Sequence, residues 1–178
     1  MTRRLEELID MSRTLGDDRF DFVILGEGNT SVRADDESFW VKASGTELAQ
    51  ADHTTFVRVR FQEALNALKQ GSLDDAAVKK LLQDATVEGD RAPSIETFLH
   101  AICLQLEGVQ FVGHTHPTDA VALLSSQRGQ ELLAGSLFPD QIVLLGPSRV
   151  YVPYADPGLP LAHTVQTCID EFLKREQR

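Results

Sequence analysis

Near the start of the chain, apolar residues recur at helical spacing at Leu5, Leu8 and Ile9 and on from Ser12 to Leu15. Gly16 follows as a stop. Residues 22–25 form a short apolar run that breaks at Gly26 and read as a strand. Residues 38–42 read as a second strand. Residues 55–60 alternate apolar and polar side chains, the pattern of a strand solvated on one face. Residues 61–69 predict a helix stopped by Gly71, and residues 74–84 another, with Asp74 or Ser72 as N-cap. Ser94 opens a stronger helix as its N-cap. Phe98, Leu99, Ile102, Cys103 and Leu106 form its apolar stripe, and Gly108 is its stop. Residues 109–113 are apolar on both faces and predict a buried strand. Pro117 suits the first turn of a helix over 120–125, residues 141–145 read as a further strand, and residues 159–175 as a terminal helix. Strands and helices are interspersed, so the elements belong to a layered α/β or α+β domain. No repeat or Pro/Gly/Ser-rich linker divides the chain, and residues 1–178 read as one domain.

Composition narrows the class. The chain has 178 residues, 42% hydrophobic and 25% charged, the balance of a soluble globular domain. No apolar run approaches the roughly 20 residues of a spanning helix, so no membrane partner is expected. Seventeen Lys and Arg against 27 Asp and Glu give a net charge of −10, which argues against sequence-independent nucleic-acid binding. A phosphate site built from backbone amides and a metal remains compatible with that charge. Cys103 and Cys168 are no disulfide framework and read as reduced core thiols. The first residues lack an apolar run after Arg3 and Arg4, so they are no secretory signal, and a cytoplasmic setting is expected.

Three local features carry chemistry. In His114-Thr115-His116, residues i and i+2 of an extended chain point to one face, where two imidazoles reach one metal. The pair also ends a strand just before a helix, a usual ligand position in open sheets. Two histidines satisfied by hydrogen bonds at a strand end are the other reading. Gly26-Glu27-Gly28-Asn29-Thr30-Ser31 is either a hairpin turn or an anion-binding loop of successive amides, and it is neither a dinucleotide fingerprint nor a P-loop. Ala43-Ser44-Gly45-Thr46 is a similar small-residue turn after a strand. Glu96 and His100 are i, i+4 neighbours. Glu96 is either a helix-start carboxylate with His100 as its partner or a general base beside a metal.

In this order the motifs resemble the class II aldolase/adducin family. Gly28-Asn29-Thr30-Ser31, Trp40-Val41-Lys42-Ala43-Ser44-Gly45, Pro93-Ser94-Ile95-Glu96 with His100, His114 with His116, and Val152-Pro153-Tyr154 with Pro157-Gly158 match its pattern, from about residue 5 onward. The wording resembles the branch of rhamnulose-phosphate-aldolase-like proteins. The resemblance implies a three-layer α/β/α sandwich with a mixed, largely antiparallel central sheet, and a homotetramer. It implies reversible aldol cleavage of a phosphorylated ketose through a metal-stabilised enediolate. A sugar-phosphate dehydratase or epimerase, and a non-catalytic adducin-like assembly module, are the alternatives within the family. His114 and His116 match two metal ligands, for a divalent cation with zinc foremost and manganese, iron or cobalt also suited. Glu96 matches the acid/base carboxylate. Gly28, Asn29, Ser44, Gly45 and Ser94 match positions that hold phosphate and hydroxyls. One departure stands out: the family's third metal histidine follows the helix with which this sequence closes, and neither His53 nor His163 matches it. The expectation is a shortened form or a surrendered metal site, with Glu96, His100 or a neighbouring subunit as candidates for the missing ligand.

Overall fold

The computed structural model describes residues 2–70, 73–136, 138–146 and 148–176. Its frame is a five-stranded sheet built from β1 (Asn29–Arg33), β2 (Ser38–Lys42), β3 (Phe56–Arg60), β4 (Thr86–Glu88) and β5 (Phe111–His114). The order is β4-β3-β2-β1-β5, and each neighbouring pair is antiparallel. The described sheet is therefore antiparallel throughout. Eight α-helices accompany it among the described residues: α1 (Arg3–Leu15), α2 (Phe61–Ala67), α3 (Asp75–Ala85), α4 (Thr97–Leu104), α5 (Thr118–Leu124), α6 (Gly129–Leu133), α7 (Pro139–Leu145) and α8 (Leu159–Glu176).

Strand alternation sends successive side chains to opposite faces and so makes three layers. Phe39, Val41, Val57 and Val59 point to one face, where they pack with Phe61 and Ala64 of α2, Val78 and Leu82 of α3, Phe98 and Ile102 of α4, and Leu159 of α8. Val32, Trp40 and Phe56 point to the other, against Leu5, Leu8 and Ile9 of α1. Each large apolar side chain buried this way contributes about 1.5–3 kcal/mol. Gly16 ends α1 because the chain passes Leu48 and Ala49 there. A Cβ on it would stand 2.2 Å from the Ala49 amide nitrogen. Asp74 caps α3 by accepting from the Ala77 amide at 2.7 Å. Gly71 and Ser72, the alternative stop and cap, lie outside the described residues. Cys103 and Cys168 are free, and burial pushes the Cys103 thiol up, which keeps it protonated.

Five expectations need correction. Residues 22–25 form no strand: Leu25 sits at φ 53, a left-handed conformation that breaks an extended run, and pairing begins at Asn29. The Asn29-Thr30-Ser31 segment is thus a buried strand and no turn. Residues 141–145 lie in α7, where Pro139 pre-sets the first helical φ and overrides their strand-like composition. Ser94 does not cap α4 directly. Glu96 stands at the N-cap, and Ser94 closes the preceding turn, its carbonyl accepting from the Thr97 amide at 3.0 Å. β5 is half-buried, because it is an outer strand with β1 as its sheet neighbour. The short β4, with Val87 and Glu88 exposed, left no apolar signal in the sequence.

Candidate active site

The register of β1 against β5 pairs Asn29 with His114. Both side chains lie on the face covered by α4, whose N-terminus presents Glu96. Asn29 Nδ2 donates to Glu96 Oε2, and His114 Nδ1 lies 3.4 Å from the same oxygen. Just past the strand the chain is tied back by the His116 amide, which donates to the Phe22 carbonyl at 2.8 Å. That tie brings His116 Nε2 to 3.0 Å from His114 Nε2. On its far side, His116 Nδ1 lies 2.9 Å from Glu27 Oε2.

Behind this row stands a buried support. His100, one turn into α4 from Glu96, does not turn to Glu96. Its Nδ1 bonds Ser31 Oγ at 2.7 Å, and its amide donates to the Glu96 carbonyl. Burial first, then the charge of His114, push His100 down to about 3, so it is neutral at physiological pH. Glu96 is governed by opposed effects. Burial pushes its carboxyl up, but contact with His114 and the further imidazoles His100 and His116 outweigh burial and hold it below the usual carboxylate range. Glu96 is therefore ionised at neutral pH, at the N-terminal end of a helix that also favours negative charge.

The remaining predicted residues gather at the same end of the sheet. Gly28 enters β1 at φ 84, where a Cβ would meet the His114 carbonyl and Val23 at 3.0 Å. Beyond β2, Ala43 bridges to Pro93, the Ser44 amide donates to the Ala92 carbonyl, and the Ser94 amide donates to the Lys42 carbonyl. These bonds bring the exposed Ser44-Gly45 turn beside Ser94, whose Oγ accepts from the Glu96 amide at 3.4 Å. Glu27, Ser31 and Lys42 lie within the sequence motifs but carried no assigned role there. Lys42 is buried with Nζ donating to the Thr46 carbonyl at 2.5 Å. Burial pulls its pKa down against the opposing pull of Glu96 and Glu47. The signal for Glu27 and Ser31 was present, since both flank Asn29 in one short motif.

The two Nε2 atoms fit a shared cation. Tetrahedral ligation at 2.0–2.1 Å sets two nitrogens about 3.3 Å apart. Two imidazoles are half of such a site: among the described residues, no group of three or more His, Cys, Asp or Glu side chains is arranged to hold a metal. A cavity of about 1020 Å³ lies on the α1 face, lined by Trp40, His53, Phe56, Arg58 and Arg91 among others, and none of the candidate residues borders it.

Comparison with known proteins places this geometry. The family model of the class II aldolase and adducin N-terminal domain matches residues 6–177, and the chain belongs to that family. The N-terminal class II aldolase domain of a conserved protein from Thermoplasma acidophilum is 30% identical, with a TM-score of 0.72 over 94% of this chain and 76% of that one. An L-fuculose-1-phosphate aldolase from Thermus thermophilus shares the fold at 21% identity, TM-score 0.58, over 95% of this chain and 72% of that one. An uncharacterized oxidoreductase of Bacillus subtilis (strain 168), YuxG, is 26% identical over 174 residues, 93% of this chain. The chain spans 23% of that relative's length.

Proposed function

We propose that this domain is a metal-dependent class II aldolase unit that cleaves a phosphorylated ketose reversibly. The observation that carries the reading is the convergence of His114 and His116 Nε2 at 3.0 Å beside an ionised Glu96. His114 and His116 would hold a divalent cation, zinc foremost, with Glu96, His100 or a neighbouring subunit as candidates for a third ligand. When bound, such a cation polarises a carbonyl oxygen as a Lewis acid.

The chain's own groups do the rest. Glu96 takes or returns a proton at Oε2, the oxygen that Asn29 Nδ2 already orients. His100, neutral and held by Ser31, keeps α4 and hence Glu96 in register with β1. The Ser44-Gly45 turn and Ser94 offer amides and hydroxyls to a phosphate, which positions the reacting carbons.

We assign the working form to a homo-oligomer in the cytoplasm. Leu123 and Leu124 of α5, Leu132 of α6, and Ile142, Val143 and Leu144 of α7 are exposed apolar side chains of the kind a second subunit would cover. No helix among the described residues is long and apolar enough to cross a membrane. A second reading, the non-catalytic assembly module, is favoured by the two-imidazole donor set.

The test is cleavage of phosphorylated ketoses by the metal-supplemented protein and by Glu96→Gln. Glu96→Gln loses at least about 10²-fold in kcat while keeping its oligomeric state in the first reading. Equal rates remove Glu96 from the mechanism, and no cleavage by either protein supports the module.

A further inference from the structure

Glu27 has no part in the roles given so far, yet its carboxylate stands against one of the two converging imidazoles. We infer that Glu27 is a positioning residue that keeps the proton of His116 on Nδ1 and so leaves the Nε2 lone pair facing His114. This rests on the reading of His114 and His116 as metal ligands.

A neutral imidazole has one N–H and one lone pair, and its neighbours decide which nitrogen has which. His116 faces a carboxylate on one side and an imidazole nitrogen on the other. Glu27 Oε2 lies 2.9 Å from Nδ1 and, as a carboxylate, accepts only. His114 Nε2 lies 3.0 Å from Nε2. A hydrogen bond to an ionised acceptor is about twice as strong as one to a neutral acceptor, so the proton stays on the Glu27 side. Without Glu27, the His116 proton moves to Nε2 and donates to His114 Nε2, which leaves no lone pair on the side of His116 that faces His114. Glu27 therefore sets whether His116 turns a lone pair or an N–H to the side it shares with His114. Glu96 plays the weaker part on His114: its oxygen stands 3.4 Å from Nδ1, and that nitrogen makes no hydrogen bond among the described residues.

The backbone fixes where Glu27 points. Its amide closes a tight turn on the Ile24 carbonyl at 3.0 Å, and Leu25 within that turn takes the left-handed conformation at φ 53. Leu25 is 92% exposed, so no packing of its own side chain explains the strained turn. Gly28 then lets the strand start against the His114 carbonyl. The same segment thus fixes the carboxylate and the backbone that presents its target.

The experiment uses the full chain at neutral pH. Long-range ¹H–¹⁵N spectra of the metal-free protein read the His116 tautomer, with His116→Asn to assign the signal. Zinc affinity is measured by competition with a chelating dye. Wild type shows the Nδ1–H tautomer. Glu27→Gln, whose amide oxygen still accepts, keeps it and binds zinc within a few-fold of wild type. Glu27→Ala shifts to the Nε2–H tautomer and binds zinc about 10–100-fold more weakly. An unshifted tautomer in Glu27→Ala, or an Nε2–H wild type, overturns the inference. Zinc binding that is equal in wild type and His114→Ala overturns the metal reading instead, and the tautomer spectra still judge Glu27.

Discussion

Ser31 Oγ lies 2.7 Å from His100 Nδ1, and both side chains are fully buried. Among the described residues this is the only hydrogen bond either ring nitrogen of His100 makes, since Nε2 has no partner. Burial pushes His100 down to about 3 from an ordinary 6.5. Between those values the unfolded chain binds a proton that the folded one does not. The contribution of His100 is therefore intact above pH 6.5 and is lost as pH falls toward 3. Denaturant unfolding at about pH 6.5 and about pH 5 is expected to show about 1–2 kcal/mol less stability at the lower pH from this group. His100→Gln flattens that part of the dependence, and an unchanged slope in the variant contradicts the assignment.

On the opposite face Ser12 Oγ and Thr30 Oγ1 lie 2.6 Å apart, and Ser12 also donates to the Leu8 carbonyl at 2.6 Å. Both residues are fully buried, so the pair fastens α1 to β1 where an apolar contact would be expected. Ser12→Ala leaves Thr30 Oγ1 buried without that partner. It should cost about 1–3 kcal/mol in equilibrium unfolding. A loss well under about 1 kcal/mol contradicts the pairing.

Gly28 is required twice over, by its φ of 84 and by the 3.0 Å approach a Cβ would make to the His114 carbonyl. Gly28→Ala is expected to destabilise by about 1–3 kcal/mol. It also displaces β5, so zinc affinity falls more than in Gly45→Ala, where the φ of 72 strains a turn outside β5 and a Cβ would meet nothing within 4 Å. Parallel thermal melts and dye competition on the two variants check this. Equal zinc affinities contradict it.

These residues also show where sequence reading stopped. Helices with one apolar stripe, such as α1 and α3, and the alternating β3, were legible because burial there follows hydrophobicity. β1 was not. Asn29, Thr30 and Ser31 are polar and buried, and they are satisfied by Glu96, Ser12 and His100, partners 67, 18 and 69 residues away. A turn-like composition hid a strand because the compensating hydrogen bonds are long-range. The reverse happened at residues 141–145, where a β-like composition lies in a helix set by Pro139. For the site, the spacing of His114 and His116 and the family motifs pointed to one end of the sheet, where the structure gathers them. The spacing of Glu96 and His100 suggested a pair, yet the helix presents those side chains to two different positions of β1.

The central claim is that His114 and His116 form a working half of a metal site. Elemental analysis of the purified full chain, before and after reconstitution with zinc, tests it most directly. About one divalent ion per chain in wild type, lost in His114→Ala, is the predicted result. A wild type that takes up no metal after reconstitution contradicts the claim and turns the fold's use toward assembly.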